Sequence, residues 1–311
     1  MNAPLFFGEQ AYSWLRNKLA ECSEGQVFVL VDENTMNYCW PYLLEQVPQL
    51  AKAEVLEIPS GEEQKTLEIC QSLWWALTDL GAGRQGLMIN LGGGVITDMG
   101  GFVASCFKRG IDFIQIPTTL LAQVDAAIGG KTGVDLGPLK NQIGLFSPAL
   151  ACLIDIQFLK TLPPRHWQSG WAEVLKYGLA SDGSLWKFIL ENREMDEEKL
   201  EALVKQSAEL KMKVVDADPK ESGLRKQLNF GHTLGHAIEG HLLGDEHRQL
   251  LHGEAVILGM IGEIFISEKR GLISASEAQL WVKELLDWAV NPQLKLEEVD
   301  QLLDLTQHDK K

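Results

Sequence analysis

The chain has 311 residues, more than a single core usually serves, so two domains with a boundary near the middle are expected. Its 45% hydrophobic and 23% charged residues are the balance of a folded globular protein, which excludes a disordered or fibrous chain. With 43 acidic against 28 basic residues the net charge is −15, which repels nucleic acid and anionic membrane and excludes both as non-specific partners.

Through residue 155, short β-branched apolar runs alternate with helical periods. Val27–Val31, Val55–Ile58, Leu87–Leu91 and Phe113–Ile116 read as strands, the rhythm of a Rossmann-like α/β domain with a mostly parallel sheet. Between the second and third, Thr66–Leu80 reads as a helix with an apolar stripe through Leu67, Cys70, Leu73, Trp74 and Leu77, and Gly81 is placed as its C′ residue. Beyond Leu162-Pro163-Pro164 the strand signal ends, and segments 166–180, 184–193, 197–216, 231–242, 252–268, 275–289 and 296–306 all read as helices. The expected organisation is an α/β domain over residues 1–160 and an all-α domain over 161–311, with the active site in the cleft between them. Cys22, Cys39, Cys70, Cys106 and Cys152 lack any Cys-x-x-Cys spacing and sit mostly in apolar runs, which fits a reducing cytoplasm. The N-terminus has no basic start followed by an apolar run, and no apolar stretch of about 18 residues occurs, so neither export nor membrane spanning is expected.

Several motifs carry chemistry. Gly92-Gly93-Gly94-Val95-Ile96-Thr97-Asp98 follows a strand and opens a helix, where bare backbone N–H groups can approach a phosphate. The spacing matches neither Gly-x-Gly-x-x-Gly nor the P-loop, and glycines after a strand also serve as ordinary turns. Gly129-Gly130-Lys131-Thr132-Gly133 lacks the earlier P-loop glycine, since Asp125 stands in its place. It reads as a glycine turn presenting Lys131, with Lys140-Asn141 further on: an anion site, or lysines that merely solvate a loop. Glu173 lies among apolar neighbours with Lys176 three residues on, which needs no more than an ion pair. His232 and His236 share one helical face, and as a pair they read more readily as polar residues on a half-buried helix than as metal ligands. Together with His252, however, Glu173 and His232 form a two-histidine, one-carboxylate set of the kind that holds catalytic zinc with an open position.

In combination these segments resemble the 3-dehydroquinate synthase family. The resemblance starts at Val27 and includes Val-Asp-Glu-Asn (31–34), Gly-Glu-Glu-Gln-Lys-Thr (61–66), Gly-Gly-Gly-Val-Ile-Thr-Asp (92–98), Lys-Arg-Gly (108–110) and Ile-Pro-Thr-Thr-Leu-Leu-Ala-Gln-Val-Asp (116–125). It continues through Gly-Gly-Lys-Thr-Gly (129–133), Ala-Glu-Val-Leu-Lys-Tyr-Gly (172–178), Gly-Leu-Arg (223–225), Asn-Phe-Gly-His-Thr-Leu-Gly-His-Ala-Ile-Glu (229–239) and Leu-His-Gly-Glu-Ala-Val (251–256). The resemblance implies a lyase of the shikimate pathway that converts 3-deoxy-D-arabino-heptulosonate 7-phosphate to 3-dehydroquinate and phosphate. It uses NAD, recycled within each turnover, and one divalent metal, zinc or cobalt. The family oxidises the carbon 5 hydroxyl, eliminates phosphate, reduces carbon 5 again and closes the ring by an intramolecular aldol step.

By the same resemblance, Glu173, His232 and His252 are the metal ligands, residues 1–160 bind NAD and residues 161–311 bind metal and substrate. The positions matching NAD contacts are Asp32, Ser60, Gly61, Glu62, Glu63, Gln64, Lys65, Gly94, Val95, Ile96, Thr97, Asp98, Thr118, Thr119, Lys131, Lys140, Phe158, Leu159, Lys160 and Thr161. Glu62 and Lys65 are expected on the adenosine side and the glycine loop on the pyrophosphate. Phosphate is expected to meet Lys131, Asn141, Lys310 and Arg109, the last reaching across from a second subunit, which implies a homodimer. The substrate carboxylate is expected to meet Lys211, Arg225 and Asn229, while Asp125 and Lys176 line the pocket and His236 organises hydrogen bonds without binding metal. Three positions depart from the pattern. Leu139 replaces the glycine before Lys140, Thr97 stands where the family often has glycine, and His166 where an acidic residue is common.

Sister sugar-phosphate cyclases such as 2-deoxy-scyllo-inosose synthase share these features, but their substrates lack the carboxylate that Lys211 and Arg225 are expected to meet. Metal-dependent polyol dehydrogenases share the two-domain plan and release NADH. A binding or scaffold protein that has lost its activity is a third alternative, and the retained metal positions argue against it.

Overall fold

The computed structural model describes residues 3–307 apart from Pro138, Arg193 and Glu246. In chain order its elements are β1 (Leu5–Phe7), α1 (Glu9–Leu19), β2 (Val27–Asp32), α2 (Glu33–Tyr38), α3 (Trp40–Gln46), β3 (Glu54–Ile58), α4 (Leu67–Asp79), β4 (Leu87–Gly92), α5 (Gly94–Cys106), β5 (Asp112–Pro117), β6 (Lys131–Leu136), β7 (Leu139–Phe146) and β8 (Ala151–Ile154). Helices follow: α6 (Pro164–Ala180), α7 (Gly183–Glu191), α8 (Glu197–Ala217), α9 (His232–Leu242), α10 (His252–Lys269), α11 (Ala275–Leu286) and α12 (Val299–Gln307).

The chain divides into two compact units, one of residues 1–136, 141–163 and 195–219, the other of residues 137–140, 164–194 and 220–311. The division at residue 160 expected from the sequence lies close to the crossing at Pro163, but α8 belongs to the first unit. It is held there by Lys211, whose Nζ lies 2.7 Å from Asp125 Oδ1, and by Glu197, which pairs with Lys160 at 3.1 Å.

The first unit is built on a six-stranded sheet in the order β1-β8-β5-β4-β2-β3, parallel throughout. Strand alternation builds two cores from the two faces of the same strands. In β2, Phe28 and Leu30 face one cluster with Leu73, Leu77 and Met99, while Val29 and Val31 face the other with Leu15, Leu43 and Leu153. Both faces are covered, which is why β4 is buried along its whole length and reads as a continuous apolar run. Among the strands absent from the sequence reading, β1 and β8 have three and four residues, too few to show a period. The β6–β7 pair forms a separate two-stranded sheet from glycine-containing, partly polar segments that read as turns.

The helix expected over residues 66–80 is α4, with Cys70, Leu73 and Leu77 buried and the Thr66 side chain accepting the Ile69 N–H at its start. Gly81 takes φ +73°; its N–H reaches the Thr78 carbonyl at 3.0 Å and the Ala82 N–H reaches Leu77 at 2.9 Å, the pair of bonds that ends a helix in a left-handed residue.

The second unit is helical, with starts set by local caps such as Asp182 on Ser184 N–H at α7 and the Ser274–Glu277 box at α11. The segment expected as one helix over 296–306 divides into a 3₁₀ turn, Leu296–Glu298, and α12. Helices α9 and α10 approach until backbones touch: a Cβ on Gly259 would lie 1.9 Å from the Gly231 carbonyl oxygen. No helix among the described residues is long and apolar enough to cross a membrane.

Gly259→Ala is expected to destabilise the protein by about 3 kcal/mol, because backbone has to move. Gly183→Ala, at the first turn of α7 with nothing within 4 Å of its added methyl, is expected to gain roughly 0.5 kcal/mol. Urea unfolding of the two variants checks the contrast.

Candidate active site

In the first unit, several of the expected nucleotide residues sit at the carboxyl ends of parallel strands, which all lie to one side. Asp32 ends β2, Ser60 follows β3, Gly92 ends β4 and Thr118 and Thr119 follow β5. The chain goes from β2 outward to β3, then returns across β2 to β4 and proceeds the other way, so the order reverses between β2 and β4. Such a reversal opens a crevice at the carboxyl edge, and here it lies beside the N-terminus of α5. Beneath α5, Asn90 donates to Gln115 at 3.1 Å and Gln115 donates to the Thr97 carbonyl at 2.8 Å, so a buried amide pair fixes the helix start.

Not every expected side chain faces outward. Ile96 and Thr97 are buried, and the Thr97 hydroxyl lies 3.2 Å from the carbonyls of Gly93 and Gly94. Phe158 and Leu159 are also buried, and Phe158 belongs to the core. Lys65 is 3% exposed, with Nζ 2.7 Å from both Asp98 Oδ2 and Asn141 Oδ1 and 3.9 Å from Glu62. Burial opposes its charge, yet the Asp98 carboxylate outweighs it and holds the ammonium above its ordinary range. Lys65 therefore ties the glycine-loop helix to β7.

The anion-site residues fall in three places. Lys131 opens β6 and is half-buried. Asn141 sits in β7 at φ +51°, its N–H donating to Asp135 at 2.7 Å. Arg109 is exposed at φ +72°, next to Lys108 at φ +49°, backbone that non-glycine residues rarely adopt. Asp125 lies in a single π-helical turn, Ala122–Ala126, and its backbone carbonyl takes a second bond from Lys211 Nζ at 2.6 Å. Lys310 lies outside the described residues.

The second unit assembles the histidines. His232 and His252 are the first residues of α9 and α10, and Glu173 projects from the middle of α6 with no exposed surface. Its Oε1 lies 3.5 Å from His232 Nε2 and 3.7 Å from His252 Nε2, while Oε2 is ion-paired with Lys176. His232, His236 and His252 each bring a ring nitrogen within 4.8 Å of the other two. His236 thus joins the same donor cluster, although the resemblance implies a different role for it. Arg225 is 2% exposed, and Asn229 donates to Glu221 at 2.6 Å.

Three groups that position this cluster escaped the sequence reading. Glu239, on the His232–His236 face of α9, lies 3.1 Å from His252 Nδ1 and 3.2 Å from Lys140 Nζ. Burial would raise its carboxyl, but His252 and Lys140 hold it far below the usual range. Arg165 makes two 2.7 Å bonds to Glu254 and a third to the Gln249 carbonyl, and Ser169 accepts the Gly253 N–H at 2.9 Å, so α6 anchors the start of α10. For Glu239 the available signal was its seven-residue spacing from His232; for Arg165 and Ser169, more than 80 residues away in sequence, there was none. Burial opposes the charge on His252 too, yet Glu173 and Glu239 outweigh it and push the imidazole up to about 9. Imidazole nitrogens with one carboxylate make a donor set suited to zinc or cobalt, and the residues present fit such an ion.

The family model for the 3-dehydroquinate synthase N-terminal region matches residues 55–169 and that for the C-terminal region matches residues 170–311. A 3-dehydroquinate synthase of Parabacteroides distasonis is 42% identical over 308 residues, covering 96% of this chain and 85% of that protein. Among solved structures, a 2-deoxy-scyllo-inosose synthase complexed with carbaglucose-6-phosphate, NAD+ and Co2+ superposes with a TM-score of 0.86 at 26% identity, over 98% of this chain and 85% of that one. A 2-epi-5-epi-valiolone synthase of Streptomyces hygroscopicus subsp. jinggangensis with NAD+ and Zn2+ gives 0.80 at 27%, over 99% and 87%. The chain belongs to the 3-dehydroquinate synthase family.

Proposed function

We propose that the protein converts 3-deoxy-D-arabino-heptulosonate 7-phosphate to 3-dehydroquinate and phosphate, as an NAD- and metal-dependent lyase of aromatic amino acid biosynthesis. The observation that carries this reading is the 42% identity to a 3-dehydroquinate synthase across 96% of the chain, well above the 26% and 27% to the sister cyclases.

Glu173, His232 and His252 would hold the metal, and the β2–β4 edge with the α5 N-terminus would hold the dinucleotide phosphates. A bound divalent ion lowers the pKa of substrate hydroxyls and orients them, and NAD supplies a reversible two-electron acceptor. The protein's own groups do the rest. Lys131, Asn141 and Arg109 receive the phosphate that leaves, a task that needs cations and amide donors held in place. Lys211, Arg225 and Asn229 receive the substrate carboxylate, and Asp125 keeps Lys211 in position through its 2.7 Å contact. His236 serves the hydroxyl hydrogen-bond network. Because Lys65 bonds both Asp98 and Asn141, it sets the position of a cofactor residue and a phosphate residue together. The net charge of −15 makes such local cations necessary for an anionic substrate.

The exposed, strained Arg109 turn supports the expected homodimer in which this side chain serves the neighbouring site. The five cysteines are free thiols, which supports a cytoplasmic location.

Purified protein is expected to release phosphate from the heptulosonate phosphate only with NAD present. Strong chelation should abolish release, and added zinc or cobalt should restore it, without growth of the NADH absorbance band. Cyclisation of a hexose phosphate but not the heptulosonate would move the protein to the sister cyclases, and NADH accumulation would move it to the dehydrogenases.

His232→Ala is expected to lose bound metal by elemental analysis, whereas His236→Ala retains it and loses rate. Metal loss from both would make His236 a third imidazole ligand.

A further inference from the structure

A metal held by Glu173, His232 and His252 requires His252 to present Nε2 to it. An imidazole has two ring nitrogens and two faces, so a ligand histidine needs a partner behind it to select the tautomer and the ring orientation. His232 finds that partner in its own backbone neighbourhood: Nδ1 lies 3.3 Å from the Phe230 carbonyl oxygen while Nε2 faces Glu173. For His252 the partner is Glu239, whose Oε2 lies 3.1 Å from Nδ1 while His252 Nε2 faces Glu173 Oε1 at 3.7 Å. The two rings thus arrive with the same nitrogen forward, one secured by a main-chain carbonyl and the other by a carboxylate.

Glu239 is built for this task rather than for contact with the ion. Its side chain is 6% exposed, and its second oxygen is taken up by Lys140 Nζ at 3.2 Å, so the buried negative charge is compensated on one side and directed at the imidazole on the other. It comes from the helix that carries His232 and His236, three residues beyond the latter, so a single helix face supplies both histidines and the group that orients the third.

We propose that Glu239 is a positioning residue of the metal site: by accepting the His252 Nδ1–H it fixes the tautomer and direction of His252 and raises the donor strength of its Nε2. This inference rests on the metal reading of Glu173, His232 and His252. Its signature is in the affinity and geometry of a bound ion, apart from turnover.

The test uses full-length protein stripped of metal and titrated with Co2+, with affinity read by competition against a chromophoric chelator and geometry read from the visible cobalt spectrum. Glu239→Ala is expected to weaken Co2+ binding roughly 10- to 100-fold and to shift the cobalt bands. Glu239→Gln keeps an acceptor oxygen but loses the charge, so it should fall between wild type and Glu239→Ala. Equal affinities and identical spectra for wild type and both variants would overturn the proposal, even if the variants were less stable without metal. Should Glu239→Ala fail to fold, Glu239→Gln decides by the same readouts: weaker binding with shifted bands supports the proposal, and wild-type values overturn it. Failure of wild type itself to bind Co2+ would instead overturn the metal reading on which the proposal stands.

Discussion

A carboxylate at the centre of an apolar helix is the constraint around which the second unit is arranged. Glu173 has no exposed surface, and an isolated buried charge of this kind is too costly to keep. Lys176 compensates it from the same helix, and His232 and His252 reach it from the first residues of two others. That convergence requires α6, α9 and α10 to meet closely, which the Gly259–Gly231 approach, the Ser169–Gly253 bond and the Arg165–Glu254 fork provide. The helices are not packed by apolar stripes alone; they are registered by the polar groups that a charged centre demands.

The first unit solves the converse problem with cations. Lys65 is buried between Asp98 and Asn141, and Lys211 between the carboxylate and carbonyl of Asp125. Each ammonium is held by acceptors in a defined place, so the cost of burial is offset by ion pairs and hydrogen bonds to the glycine-loop helix, the β7 strand and the π-turn. An acidic protein that handles an anionic substrate needs its positive groups fixed, because its global field works against the substrate.

Much of this was legible in the sequence where the signal was local. Strands β2, β3, β4 and β5 and most of the helices showed their period, Gly81 announced the end of α4, and His232 and His236 shared one helical face. The short strands β1 and β8 did not show, since three or four residues carry no period, and the β6–β7 pair was hidden by its glycines and polar residues. The membership of α8 in the first unit was also unreadable, because amphipathic helices look alike wherever they pack and the partner shows in contacts such as Asp125–Lys211 and Lys160–Glu197.

The sequence alone carried the family and the kind of elements, since periodicity, caps and motif order act over a few residues. The folded chain settled which side chains are buried and what they pair with. Thr97 turns back on its own helix, Phe158 belongs to the core, and Lys65 bonds to Asp98 and Asn141. It alone revealed Glu239 behind His252, and Arg165 beneath the start of α10. Burial and pairing are relations between residues distant in sequence, and they exist only once the chain has folded.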